Sequence, residues 1–399
     1  MKKIAKTSLV TALAVAGFAT NSFAADTLAD AFTNGKVSGA VKSYYYAQTF
    51  DGAGKNDSSV WANGGHLNFV TDNFKGLVLG ATLQTSHVTN IDDKDGKTAG
   101  SMDAQGSVLS ESYLQYTYDK TTFKGGRQFV NTPLLAGSGS RLIKEAFEAY
   151  LLVNTDIPDT TVVAGVVTKY QTRTDKTTYA DNSFVNFNSA SGTGEPGNFN
   201  KIGPDGVQTI YIKNSSIPNL DVQFQYADVV DVAVDMYVDA KYNFGPVFVA
   251  AQYFDTNYDS NASKDSSMYG LKIGGNVEGL DLFAGYTSTD DANDVVRGIG
   301  QGAYSQFTET TKTAGVDAFK AGTDSWQIGT GYKFRDLKTE LKYTSFDQPT
   351  LNADLDEITL NLAYPITKAL VAQIDYSILD YENDTNDATD LRTRLIYSF

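Results

Sequence analysis

From residue 36 onward the chain breaks into segments of roughly ten to fourteen residues in which apolar and polar side chains alternate. In 232–243, Val232, Val234, Met236, Val238, Ala240 and Tyr242 oppose Asp235, Tyr237, Asp239 and Lys241. In 323–335, Trp326, Ile328, Thr330, Tyr332 and Phe334 oppose Gln327, Gly329, Gly331, Lys333 and Arg335. A period of two is that of a strand with one apolar face. Eighteen strands are read: 36–49, 58–71, 76–89, 107–119, 121–131, 144–155, 160–172, 206–214, 219–228, 232–243, 246–257, 265–277, 280–289, 323–335, 337–347, 354–364, 369–380 and 389–399. Segments 160–172 and 246–257 are apolar on both phases, and their faces stay undecided.

A soluble sandwich would bury such apolar faces against each other, but its strands usually run only about five or six residues. These strands are longer and match the roughly nine to eleven residues that cross a bilayer at a tilt. Aromatic residues sit near strand ends, at Tyr116, Tyr118, Tyr242, Tyr286, Phe334, Tyr364, Tyr397 and Phe399. Belts of aromatic side chains at the two lipid–water levels have this arrangement. In lipid every backbone polar group needs a partner, so the sheet must close on itself. The expectation is an all-β fold, a closed antiparallel transmembrane β-barrel of about 18 strands, occupying residues 25–399 as a single domain. Short connections such as Asp119-Lys120, Phe244-Gly245, Glu278-Gly279 and Asp336 would face the periplasm, and the long ones 90–106, 132–143, 173–205 and 290–322 the outside. About eighteen strands enclose a lumen too wide for side chains to fill, so water fills it.

Residues 1–24 stand apart. Lys2, Lys3 and Lys6 precede an apolar run from Leu9 to Ala19, and Ser22-Phe23-Ala24 offers a cleavage site. This is a signal peptide pattern, too short to span a bilayer as a helix. Residues 26–33 read as a short helix on the periplasmic side, before the first strand. The chain has no cysteine, so no disulfide framework or thiol chemistry is expected. Only His66 and His87 are present, which argues against a histidine zinc site; no metal or other cofactor is expected. A net charge of −15 argues against nucleic acid as a partner.

Within this acidic chain the cations are placed selectively. The last strand, DLRTRLIYSF, sets Leu391, Leu395 and Phe399 on one phase and Arg392 and Arg394 on the other. A lipid-facing arginine near the midplane costs about 2–4 kcal/mol, so the arginines are expected in the lumen. Lys338 and Lys342 oppose Leu337, Leu341 and Tyr343; Lys333 and Arg335 share the inward phase of strand fourteen; Lys42 opposes Val41 next to the closure. Lys169 and Arg127 are read as pointing inward from strands seven and five. Such a file would guide anions or carboxylates. The other reading, in which Glu340 or Glu357 neutralises the row as plain ion pairs, stays open.

Between strands five and six, NTPLLAGSGSRLIKEAFE at 131–148 combines small residues with Arg141 and Lys144. Gly and Ser permit the tight path of a loop folded inward to constrict the lumen. The stretch GSGSRLIKEAFEAYLLVN resembles the constriction-loop region of the OprD-type outer-membrane porins, and the opening LADAFTNGKVSGAVKSYYY and the arginine-bearing last strand resemble the same family. The resemblance implies an eighteen-stranded porin, often trimeric, whose basic ladder conducts small carboxylate-bearing solutes such as amino acids. It places Arg141 beside the constriction and Arg392 and Arg394 in the ladder. Loops five and eight are shorter than the family pattern, and lysines replace arginines at several positions. Implied partners are outer-membrane lipid and lipopolysaccharide, small polar solutes and, through the terminal Phe399, the outer-membrane assembly machinery.

Acidic groups at Asp92, Asp93 and Asp95, at Asp290, Asp291 and Asp294, and at Glu382, Asp384, Asp387 and Asp390 read as solvated loop tips, or as divalent-cation sites shared with lipopolysaccharide phosphates. Two other functions are kept open. A surface adhesin would use 173–205 and 290–322, and a barrel hydrolase would pair His66 with a serine; neither His66 nor His87, which lies near the end of strand three, sits in a recognisable nucleophile motif, so no enzyme is expected.

Overall fold

The computed structural model describes residues 25–52, 54–92, 102–175, 194–260, 263–348, 354–382 and 386–399. The segment read as a signal peptide lies outside them, as do Asp93, Asp95 and Asp384. The described chain opens with helix α1 (Leu28–Thr33), started by a reciprocal pair in which Thr27 Oγ1 accepts from Asp30 N and the Asp30 carboxylate accepts from Thr27 N.

Eighteen strands then form the wall. The first nine are β1 (Lys36–Phe50), β2 (Ser58–Val70), β3 (Leu77–Asp92), β4 (Gly106–Tyr118), β5 (Thr121–Gln128), β6 (Ala146–Asn154), β7 (Thr160–Gln171), β8 (Val207–Asn214) and β9 (Leu220–Val229). The second nine are β10 (Ala233–Asn243), β11 (Val247–Tyr258), β12 (Ser266–Val277), β13 (Leu280–Thr289), β14 (Asp324–Phe334), β15 (Leu337–Asp347), β16 (Leu355–Pro365), β17 (Leu370–Tyr381) and β18 (Ala388–Ser398). Each pairs antiparallel with its sequence neighbour, and a short piece, Phe199–Lys201, adds to the end of β7. Closure is made by β1 on β18, from Ala40 opposite Ser398 to Phe50 opposite Ala388. Phe399 completes the seam: its N–H donates to Gly39 O at 3.1 Å and its carbonyl accepts from Gly39 N at 3.0 Å.

Tight turns gather at one end of the barrel. Asp119, Glu278 and Arg335 take positive φ there (51°, 52° and 54°), which lets a two-residue turn follow the twist of its strands. The outer face is apolar, with Val41, Leu271, Ile328 and Leu395 all exposed. Tyr118, Phe244, Phe334, Tyr364 and Tyr397 ring the turn end, and Tyr45, Trp61, Tyr253, Tyr269 and Trp326 lie outward nearer the loop end. These are the two aromatic levels of a membrane barrel.

The interior departs from a uniformly wet lumen. Loop 129–145 leaves the wall at Gln128, earlier than the reading of strand five to residue 131, and folds inward as a hairpin, Asn131–Thr132 against Leu135–Ala136. The connection 290–323, read from sequence as an outside loop, also runs inside over much of its length, with Val295, Ile299 and Phe319 at most 1% exposed. The two loops join by a parallel bridge, Leu135 to Ile299. Together with inward side chains of β6, β7, β10 and β11, including Phe147, Tyr170, Tyr237 and Phe254, they form an apolar core inside the barrel. One side of the lumen is therefore filled. A smaller apolar cluster joins Ala318 of the second loop to Phe346, Leu355, Leu379 and Ala388 of β15 to β18, and the polar cavity that remains reaches the wall at Lys342 of β15 and at Arg392 and Arg394 of β18.

Candidate functional site: the lumen constriction

The open side narrows to a polar cavity of about 330 Å³. Its walls come from loop 129–145 (Ser138, Ser140, Arg141), from Arg173 after β7, from loop 290–323 (Tyr304, Glu309, Lys312 and their neighbours), and from Lys342, Arg392 and Arg394 on the barrel. Two loops make this constriction, where the sequence pointed to one.

Each wall is anchored by polar side chains of the strands. Gln84 holds both backbone groups of Lys144, donating to its carbonyl at 2.7 Å and accepting from its N–H at 2.9 Å. Gln225 accepts from Leu134 N at 2.8 Å. Glu145 is fully buried, and its carboxylate accepts from Ser138 N at 2.9 Å and Gln301 N at 3.0 Å, tying one loop to the other. Glu357, on the inner face of β16, accepts from Lys312 N at 2.7 Å and from the N–H and hydroxyl of Thr313 at 3.1 and 2.8 Å. A buried carboxylate satisfied by backbone donors is a strong fastening. Glu357 thus holds a loop in place and does not neutralise the cation row; Glu340 does pair, with Lys342 at 3.3 Å.

The cations converge on Tyr46. The guanidinium carbons of Arg141, Arg392 and Arg394 lie 4.8, 5.4 and 5.4 Å from its ring centroid. An aromatic face attracts such groups and offsets part of their mutual repulsion. Carboxylates stand behind them: Asp390 lies 2.7 Å from Arg392 and 3.0 Å from Lys312, and Asp375 binds Arg394. Asp390, read as part of an acidic loop tip, instead points inward at 2% exposure. Neither Asp390 nor Asp375 lines the cavity, where among the described residues Glu309 is the only carboxylate against six cations. Burial and the other arginines pull the Arg141 guanidinium down to about 9, which still leaves it charged at neutral pH. Burial pushes the Glu309 carboxyl up, against the pull of Lys342 and Lys272.

Of the residues singled out from sequence, Arg141, Lys342, Arg392 and Arg394 meet at the constriction. Lys42 faces inward on β1 opposite Ile396, and Lys144 caps the Phe129 ring at 4.2 Å. Lys333 and Lys338 sit opposite each other on the inward phase at the turn end. Three readings are corrected. Arg335 lies in the turn after β14, against the Phe334 ring, and not on the wall. Lys169 faces outward because a bulge at Thr168 shifts the register between Ala149–Val167 and Glu148–Lys169. One extra residue reverses every later side chain on a strand. Arg127 shares the outward phase with Phe123, since its partner on β4 is Ser112, on the same face as Leu114 and Tyr116. Arg173, Glu309, Lys312 and Tyr46 escaped sequence reasoning. His66 and His87 lie on opposite faces of the wall, on the inward phase of β2 and the outward phase of β3.

A closed barrel belted with aromatic residues and throttled by a charged constriction is a pore-forming protein of the outer membrane. The family model described as outer membrane porin, OprD family, matches residues 30–339, and the chain belongs to that family. Among solved structures, Acinetobacter baumannii OccAB1 superposes with a TM-score of 0.77 at 14% identity, over 92% of this chain and 97% of that one. Acinetobacter baumannii OccAB4 gives 0.74 at 18% identity over 93% and 99%, and Pseudomonas aeruginosa OpdO 0.74 at 14% over 93% and 98%. No curated protein matches the sequence.

Proposed function

We propose that this porin admits small hydrophilic solutes bearing a carboxylate, such as amino acids or small organic acids, by passive diffusion. Arg141, Arg392, Arg394 and Lys312 attract the carboxylate at the constriction. Lys342 continues the track, and Lys338 and Lys333 receive the solute at the periplasmic mouth. The observation that carries this reading is the clustering of three guanidiniums around Tyr46 with their counter-ions set behind the cavity wall. Cations aimed into a narrow polar passage raise the local concentration of anions, and each paired guanidinium keeps further donors for a passing carboxylate. Glu309, across from them, would orient a solute that also carries an ammonium group.

The test is Arg392→Gln with Arg394→Gln in planar bilayers under a salt gradient. The reversal potential should move away from anion preference, and carboxylate flux should fall. An unchanged reversal potential and flux would reject the ladder. The same reading includes export through residues 1–24 and insertion by the assembly machinery through the aromatic last strand. It also includes association into trimers, for which crosslinking in native membranes is the measurement.

A further inference from the structure

The two cations that the register turns outward fall in one row. Arg127 on β5 is opposite Glu148 on β6, Glu148 is opposite Lys169 on β7, and Lys169 is opposite Lys201 on the short piece Phe199–Lys201. Toward the turn end the same outward phase is apolar, with Phe123, Leu152, Tyr150 and Val166 all exposed. The row lies on the loop side of that apolar stretch.

Its charges do not balance. Lys169 Nζ lies 2.9 Å from Glu148, whose carboxylate also accepts from Thr168 Oγ1 at 3.2 Å. Arg127 makes no ion pair among the described residues; its guanidinium carbon lies over the Phe199 ring, 4.3 Å from the centroid. Lys201 is exposed and directly opposite Lys169. Like charges facing across a ladder destabilise it unless an anion lies between them. Three cations thus meet one carboxylate on a chain whose overall charge is −15.

We infer that this row binds a phosphate of lipid A, the phosphorylated glycolipid of the outer leaflet. The loop end of an outer-membrane barrel faces that leaflet. A phosphate at the headgroup level would sit above Tyr150 and Phe123 with its acyl chains along the apolar wall below. Arginine held on a ring presents its fork to phosphate oxygens, and the two lysines supply point charges. The lumen takes no part, so this site is independent of solute choice.

The experiment uses the full-length protein extracted in mild detergent and native mass spectrometry with bis-phosphorylated lipid A, with enzymatically dephosphorylated lipid A, and with a zwitterionic phospholipid. The wild type should retain bis-phosphorylated lipid A about tenfold better than the dephosphorylated form. Arg127→Gln, Lys169→Gln and Lys201→Gln together should abolish that preference while conductance and heat-modifiable migration stay as in the wild type. Arg392→Gln should leave it intact. Equal retention of the two lipids by the wild type overturns the proposal, and that arm does not depend on the variant folding. So does an undiminished preference in the triple variant. Loss of trimers in the triple variant with lipid retention unchanged would assign the row to a contact between copies of the chain, and would equally overturn it.

Discussion

Arg394 Nε donates to Tyr46 Oη at 2.8 Å, across the seam where the last strand meets the first. Tyr46 in turn donates to the Ser140 carbonyl at 2.6 Å. One phenol therefore fixes an arginine of the constriction and the tip of the first inward loop together. Tyr46→Phe keeps the ring beneath the guanidiniums and removes both bonds. Leaving such partners unsatisfied costs about 1–3 kcal/mol. Noisier single-channel current is expected, with anion preference largely kept because the charges remain. A quiet channel identical to the wild type would show that the phenol does not set the loop.

Glu357 fastens the inner tip of loop 290–323 through Lys312 N and both polar groups of Thr313. Glu357→Ala removes all three acceptor contacts to the loop, at a local cost of about 2–4 kcal/mol. The tip should leave the wall and the constriction should widen. Single-channel conductance is expected to rise and discrimination between small and large solutes to fall. Glu357→Gln, which keeps an acceptor oxygen, should lie between the alanine variant and the wild type.

Glu309 gives the channel a pH response of definite sign. Burial raises its carboxyl above the ordinary glutamate range, so it takes up a proton earlier as the solution is acidified. Neutralising it removes the only carboxylate of the lining among the described residues. Anion preference should therefore increase as pH is lowered from neutral toward the range in which ordinary glutamates titrate, about 4.3. Reversal potentials measured across that range provide the check. Glu309→Gln should show the higher preference already at neutral pH, and little further change on acidification.

Gly39 sits where the chain closes. A Cβ placed there would lie 2.4 Å from the His66 carbonyl oxygen and 2.8 Å from the Phe399 ring. Gly39→Val should force the terminal rung open. The expected result is loss of the folded, heat-modifiable form in outer membranes. Gly331, where an added Cβ would come no nearer than 3.5 Å to its neighbours, serves as the tolerant control with Gly331→Ala.

The wall was legible because lipid on the outside imposes a strict rule on every second residue. Each of the eighteen strands read from the period appears, and closure followed from the need to pair the first and last edges. Phase assignment failed where a bulge intervened, as at Thr168, since nothing in the local sequence distinguishes an extra residue from a regular one. The interior was less legible for a different reason. Arg173, Glu309 and Lys312 lie on connections, whose path is set by distant partners such as Glu145 and Glu357. One signal was present. Strands 160–172 and 246–257 are apolar on both phases, and their inward residues Val163, Val167 and Phe254 are those that the folded-in loops cover. A barrel strand that is oily on its lumen face announces that something packs against it.

Arg392 and Arg394 lie on the strand that docks last in sequence order, and the tyrosine they share lies on the first. Their environment exists only once the two ends of the polypeptide have met. An unzipped intermediate would lack this cluster of guanidiniums around Tyr46 as well as the final rung, so barrier and constriction are completed in one event. Assembly thus carries its own check: a half-assembled copy has no way to masquerade as a finished channel.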